Sequence, residues 1–182
     1  RRGTAAAGCI KLLKLGDGKM PTTYAHDLFG KKVYRQMPKE VKRIIRENGE
    51  LYRIGLHGPD IFFYYFIFKN HVSGVGYRMH KEKARAFFEQ GMEQVRERKD
   101  EPLLAYLLGF GCHYLLDSSC HPFVNEMNDK GRIPHSLLEI EFDRFLMGES
   151  GKDPCHYYPS ECIAAKKENA EVIHRAFPLV KT

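Results

Sequence analysis

The chain has 182 residues, 43% of them hydrophobic and 29% charged, with a formal net charge of +6. This is ordinary for one soluble globular domain with a sizeable core. Of 29 basic and 23 acidic residues, five and one fall within residues 1–19, leaving 24 against 22 from Met20 onward. A nearly neutral domain offers no basic groove, which weighs against nucleic acid as a partner.

Residues 1–19, RRGTAAAGCIKLLKLGDGK, combine small residues and scattered lysines without a helical stripe. They read as a tag, linker or leader, with Met20 a native start and 20–182 the domain. Lys11 and Lys14 interrupt the short apolar stretch, so it is not a secretory signal. The longest apolar run, IFFYYFIF at 61–68, falls well short of a membrane-spanning helix. The cysteines are Cys9, Cys112, Cys120, Cys155 and Cys162. An odd number without a signal peptide argues against a disulfide framework and for a reducing, cytoplasmic setting. Cys112 and Cys120 flank a histidine-rich motif, but neither belongs to a CxxC pair, so packing is favoured over metal ligation.

Helical signals dominate in chain order. Residues 21–37 carry threonines placed to cap and a His26–Phe29–Val33 stripe. Residues 38–49 open with Pro and close with Gly, the expected asymmetry. Residues 79–98 put Ala84, Phe87, Phe88 and Val95 on one face, and residues 101–120 are apolar nearly all round, as a central helix is. Residues 133–146 are amphipathic, and 160–177 close the chain. With no repeat and no strand pattern, the fold class is all-α, a bundle of about six or seven helices.

Polar residues interrupt this pattern at regular spacing. His113 and Asp117 are four apart, on one face of the apolar helix, with His121 following and Pro122 marking a helix end. His135 and Glu139 are four apart and align with Phe142 and Leu146, so the pair points inward. His80 extends the Ala84–Phe87–Gly91 stripe backward from a helix start, and His26 shares the Phe29–Val33 face. A lone inward histidine is more often a hydrogen-bonded core residue than a ligand, and an i,i+4 His–Glu pair is usually a local ion pair. Several histidines and carboxylates sharing one interior are what a zinc site uses, and burying them unpartnered costs several kcal/mol. His57 reads as a loop residue near the mouth, His156 and His174 as surface. The aromatic run after Asp60 reads first as core filling, alternatively as an apolar wall for a lipid tail or nucleobase.

HxxxD at His113/Asp117, HP at His121, HxxxE at His135/Glu139 and GPD at Gly58–Asp60 together resemble the zinc-dependent phospholipase C family of bacteria, from about Met20 to about Leu146. The resemblance implies an α-helical bundle and a phospholipase C-like phosphodiester hydrolase that activates water with clustered zinc ions. It implies that Asp60, His80, His113 and Asp117 hold one zinc, and that His121, His135 and Glu139 hold a second. His26 would serve a third, bridged by Asp117. The N-terminal tryptophan that secreted members place on that ion has no counterpart in a chain without tryptophan. His80 is preferred over His71 as the histidine after GPD, because it has the helix stripe. Asp60 doubles as the candidate general base. The implied substrate is a phospholipid or another phosphodiester, with transient membrane-surface contact. A single-strand zinc nuclease of the same fold is the nearest rival, and an HD-type phosphohydrolase lacks the earlier histidine it would need. The non-enzyme alternative is a degenerate relative that keeps zinc for stability.

Overall fold

The computed structural model describes residues 23–64, 70–81, 84–131, 133–156 and 163–177. Residues 1–19 and the second half of the aromatic run lie outside them. The described residues form α1 (Thr23–Gln36), α2 (Lys39–Glu47), α3 (Gly49–Gly55), a 3-10 helix (Gly58–Phe63), α4 (His71–Lys81), α5 (Arg85–Arg98), α6 (Glu101–Asp129), α7 (His135–Glu149) and α8 (Lys167–Ala176). No strand occurs among the described residues, so the protein is all-α. The helices outnumber the six or seven read from the sequence. Asn48 breaks α2, and Gly49 opens α3 instead of merely closing the helix before it.

The apolar run of α6 makes it the axis of the bundle, with α1, α2, α3, the 3-10 helix, α5, α7 and α8 all against it. Its start is fixed by Asp100, whose Oδ1 accepts from Leu103 N at 3.0 Å while Oδ2 accepts from Arg175 Nε of α8 at 3.0 Å. The α3–α6 crossing is closest at Gly55 and Gly109, where a Cβ on either would overlap a carbonyl of the other helix, Tyr106 O or Tyr52 O. Leu51, Ile54, Phe87, Val95, Leu103, Tyr106, Leu107 and Phe110 form the main core. Each such side chain contributes about 1.5–3 kcal/mol on burial. A second cluster joins Ile45, Tyr52, Leu56 and Cys112. Cys112 Sγ lies 3.5 Å from the Tyr52 hydroxyl, a packing role.

Three sequence expectations change here. First, α6 runs straight through Pro122 to Asp129, so His121 lies inside a helix and not at its end. An internal proline forfeits a backbone bond and costs about 3 kcal/mol. The arm beyond it is anchored nonetheless, because Val124 is buried and Asn128 Oδ1 accepts from His135 N at 3.1 Å at the start of α7. Second, His80 sits in the last turn of α4, not at the start of the next helix, for which Ala84 is the N-cap. The sequence Lys81-Glu82-Lys83 gives no apolar side chain to a core, which separates the two stripes. Third, Phe142 is 46% exposed, and the buried face of α7 carries Asp143 and Met147. No described helix is long and apolar enough to cross a membrane.

Candidate metal centre

His113, Asp117 and His121 occupy successive turns of α6. Each step of four residues advances only about 40° around a helix, so the three form one slowly turning row. The row faces α1, the 3-10 helix, α4 and α7. Asp117 stands at its centre. His113 Nε2 is 3.2 Å from Asp117 Oδ2 and His80 Nε2 3.9 Å from it, while His26 Nε2 is 3.3 Å and His121 Nε2 3.8 Å from Oδ1.

The sequence GPD supplies the wall opposite α6. Gly58 has φ +51, the left-handed region, and its missing side chain leaves room for the His113 ring. Pro59 stands in the first turn of the 3-10 helix, and Asp60, 6% exposed, turns its carboxylate to His80 Nε2 at 3.0 Å. His113 Nδ1 donates to Leu56 O at 3.2 Å, and His80 Nδ1 donates to Gly76 O at 2.8 Å. A carbonyl can only accept, so each bond fixes the tautomer and leaves Nε2 as the ligating atom. His26 stacks on His113, ring centroids 4.1 Å apart at 18°.

The second group lies one turn further along. Glu139 Oε1 is 2.9 Å from His135 Nε2 and 3.4 Å from His121 Nε2, and the two rings meet edge to face at 5.3 Å. Three sets thus bring ligand atoms within 4.8 Å of one another: His26, His113 and Asp117; Asp60, His80 and His113; and His121, His135 and Glu139.

The electrostatics favour positive charge at this place. Burial works to raise the Asp117 carboxyl, but hydrogen bonds and charge from His113 and His26 hold it well below the ordinary range. Burial pulls His113 down, yet Asp117 and Asp60 together push it above its ordinary value. The Glu139 hydrogen bond raises His121. His26 is lowered, first by burial and then by the His113 charge beside it.

His71 opens α4 and is exposed, whereas His80 of the same helix reaches Asp60. His57, expected in a loop near the mouth, is instead buried at 4% exposure. It ends the turn after α3, its Nδ1 is 3.1 Å from the Tyr64 hydroxyl, and its burial pushes the pKa down to about 4. His156 and His174 are exposed. Asp143 belongs to none of the sequence motifs, although it stands four residues beyond Glu139 and continues the His135–Glu139 row. Its two oxygens accept from Tyr24 N and Ala25 N at 2.9 Å each.

A family model described as zinc dependent phospholipase C matches residues 25–180. The chain belongs to the zinc-dependent phospholipase C family. No curated protein and no solved structure matches it. The family is one of zinc-dependent hydrolases, and the residues of this phospholipase C-family chain fit a zinc ion on two counts. His113 Nε2 is buried with Nδ1 already committed to Leu56 O, and it faces Asp117 Oδ2 at 3.2 Å, itself a candidate ligand, as an imidazole nitrogen kept for a metal does. The donor set is imidazole and carboxylate, which zinc prefers.

Proposed function

We propose that the protein hydrolyses phosphodiesters in the manner of a phospholipase C, with zinc held at two positions. The observation that carries this reading is the placement of Asp117, one carboxylate with four imidazole Nε2 atoms within 3.9 Å. Asp60, His80, His113 and Asp117 would hold one ion, and His121, His135 and Glu139 the other. His113 has a single free nitrogen, because Nδ1 is committed to Leu56 O. It serves only one ion, which leaves His26 and a bridging Asp117 as the ligands this set offers a third. Bound zinc would supply positive charge against phosphate oxygens and lower the pKa of a water. Asp60 is assigned a second role: its carboxylate, against His80 at the edge of the cluster, accepts the proton of the attacking water.

The test is an assay of zinc-loaded protein on a chromogenic phosphodiester, phosphatidylcholine micelles and single-stranded DNA. Chelator-sensitive cleavage restored by zinc, strongest on the phospholipid, is the expected result. Cleavage of DNA alone would favour a nuclease. Two bound zinc ions without turnover on any substrate would make the protein a zinc-stabilised scaffold.

A further inference from the structure

Of the four imidazoles around Asp117, His113 and His121 stand on α6 itself and His80 on α4, while His26 comes from α1. A metal-ligating histidine is ordinarily oriented by a hydrogen bond on its other nitrogen. His113 has Leu56 O and His80 has Gly76 O for this purpose. His26 has none: Nδ1 is buried and unpartnered among the described residues, while Nε2 faces Asp117. Its orientation therefore falls to its stacking on His113 and to whatever fixes the α1 backbone.

Asp143 fixes that backbone. It is 8% exposed, and its two oxygens accept from Tyr24 N and Ala25 N, the two amides immediately before His26. A helix N-terminus is ordinarily capped by a residue of its own chain segment. Here the acceptor comes from 118 residues away, from α7, one turn beyond Glu139. A carboxylate buried this deeply is costly unless hydrogen-bonded, so both oxygens are committed to these amides. The geometry points to Asp143 as a positioning residue that sets His26 against Asp117 and locks α1 to the helix carrying His135 and Glu139. This inference rests on the metal reading above.

The test is a zinc titration against a chromogenic chelator for the parent, Asp143→Ala, Asp143→Asn, His26→Ala and the Asp143→Ala/His26→Ala double variant. Asp143→Ala should weaken the weakest-held zinc by about 10- to 100-fold, the scale of lost ligand support. Asp143→Asn should lose less, because its amide oxygen still accepts one N–H. In the His26→Ala background, Asp143→Ala should cause no further weakening, since its action runs through that ring. Unchanged affinity in Asp143→Ala, or an equal loss in both backgrounds, overturns the inference and leaves the metal reading standing. If Asp143→Ala does not fold, the Asp143→Asn cycle with His26→Ala decides by the same criterion. A parent chain that binds no zinc overturns the metal reading, and this inference with it.

Discussion

A side chain on Gly58 would run into His113: a Cβ built there lies 2.8 Å from Nε2, the atom left free for a ligand. Gly58 also has φ +51, where an L side chain is strained. Gly58→Ala therefore combines backbone strain of about 1–3 kcal/mol with displacement of a central imidazole. At this chain length each kcal/mol lowers Tm by about 2–4 °C. The expected outcome is a lower Tm together with weaker zinc binding. Unchanged zinc affinity by competition titration would mean that the ring moves aside without consequence.

Chelation should destabilise the protein. Asp60, Asp117 and Glu139 are brought together around imidazoles that the fold leaves partly unpartnered. A ligand held at 100 times its Kd adds about 2.7 kcal/mol of stability, and removing it takes that away. The zinc-loaded protein should melt above the chelator-treated protein, and re-addition of zinc should restore the difference. Coincident melts with and without chelator contradict the site.

The carboxylates separate metal holding from catalysis. Asp117→Asn removes the charge at the centre of four imidazoles, so zinc content and Tm should both fall. Asp60→Asn should retain the zinc held by His121, His135 and Glu139 while losing activity by at least ~100-fold, the scale of general-base removal. Parent-level activity of Asp60→Asn, on a substrate the parent cleaves, would reduce this aspartate to a builder of the 3-10 turn.

Much of this arrangement was legible because helices repeat. The i,i+4 spacing of His113 with Asp117 and of His135 with Glu139 carries directly into space, as does the all-α class. What was not legible lies where a local rule loses to tertiary anchoring. Pro122 signals a helix end, yet Val124 and Asn128 hold the helix together beyond it. Phe142 shares the row of His135 and Glu139 in sequence, but the bundle turns Asp143 inward to meet α1, leaving that phenyl ring 46% exposed. His57 looked like a loop residue because nothing in its neighbours marks the turn after α3 as buried.

His57 contributes one separable part of the pH dependence. Burial pushes its pKa down to about 4 from an ordinary 6.5. A histidine lowered in the fold contributes stability that is present above the unfolded pKa and lost as pH falls through the folded one. The window thus runs from 6.5 to about 4. Within it the unfolded chain takes up a proton that the folded chain refuses, at most about 1.4 kcal/mol per pH unit. On chelator-treated protein, where metal release does not share the window, His57→Gln should lose less stability than the parent as pH falls. Parallel denaturation midpoints for the two proteins across the window would show that His57 does not titrate this way.

Pro122 follows His121 directly, inside α6. Replacing it with Ala restores a backbone N–H to bond the Ser118 carbonyl, and the propensity difference alone is worth about 3 kcal/mol. Prolines inside helices are where kinks ordinarily fall, and this one directly follows His121, whose Nε2 lies 3.4 Å from Glu139 on α7. Pro122→Ala should therefore raise the Tm of the chelator-treated protein while weakening the zinc held by His121, His135 and Glu139. The two readouts moving in opposite directions is the signature of a helix traded for a site. A variant that gains stability and keeps its full zinc affinity would show that the proline is merely tolerated, and that α7 alone sets the position of Glu139 against His121.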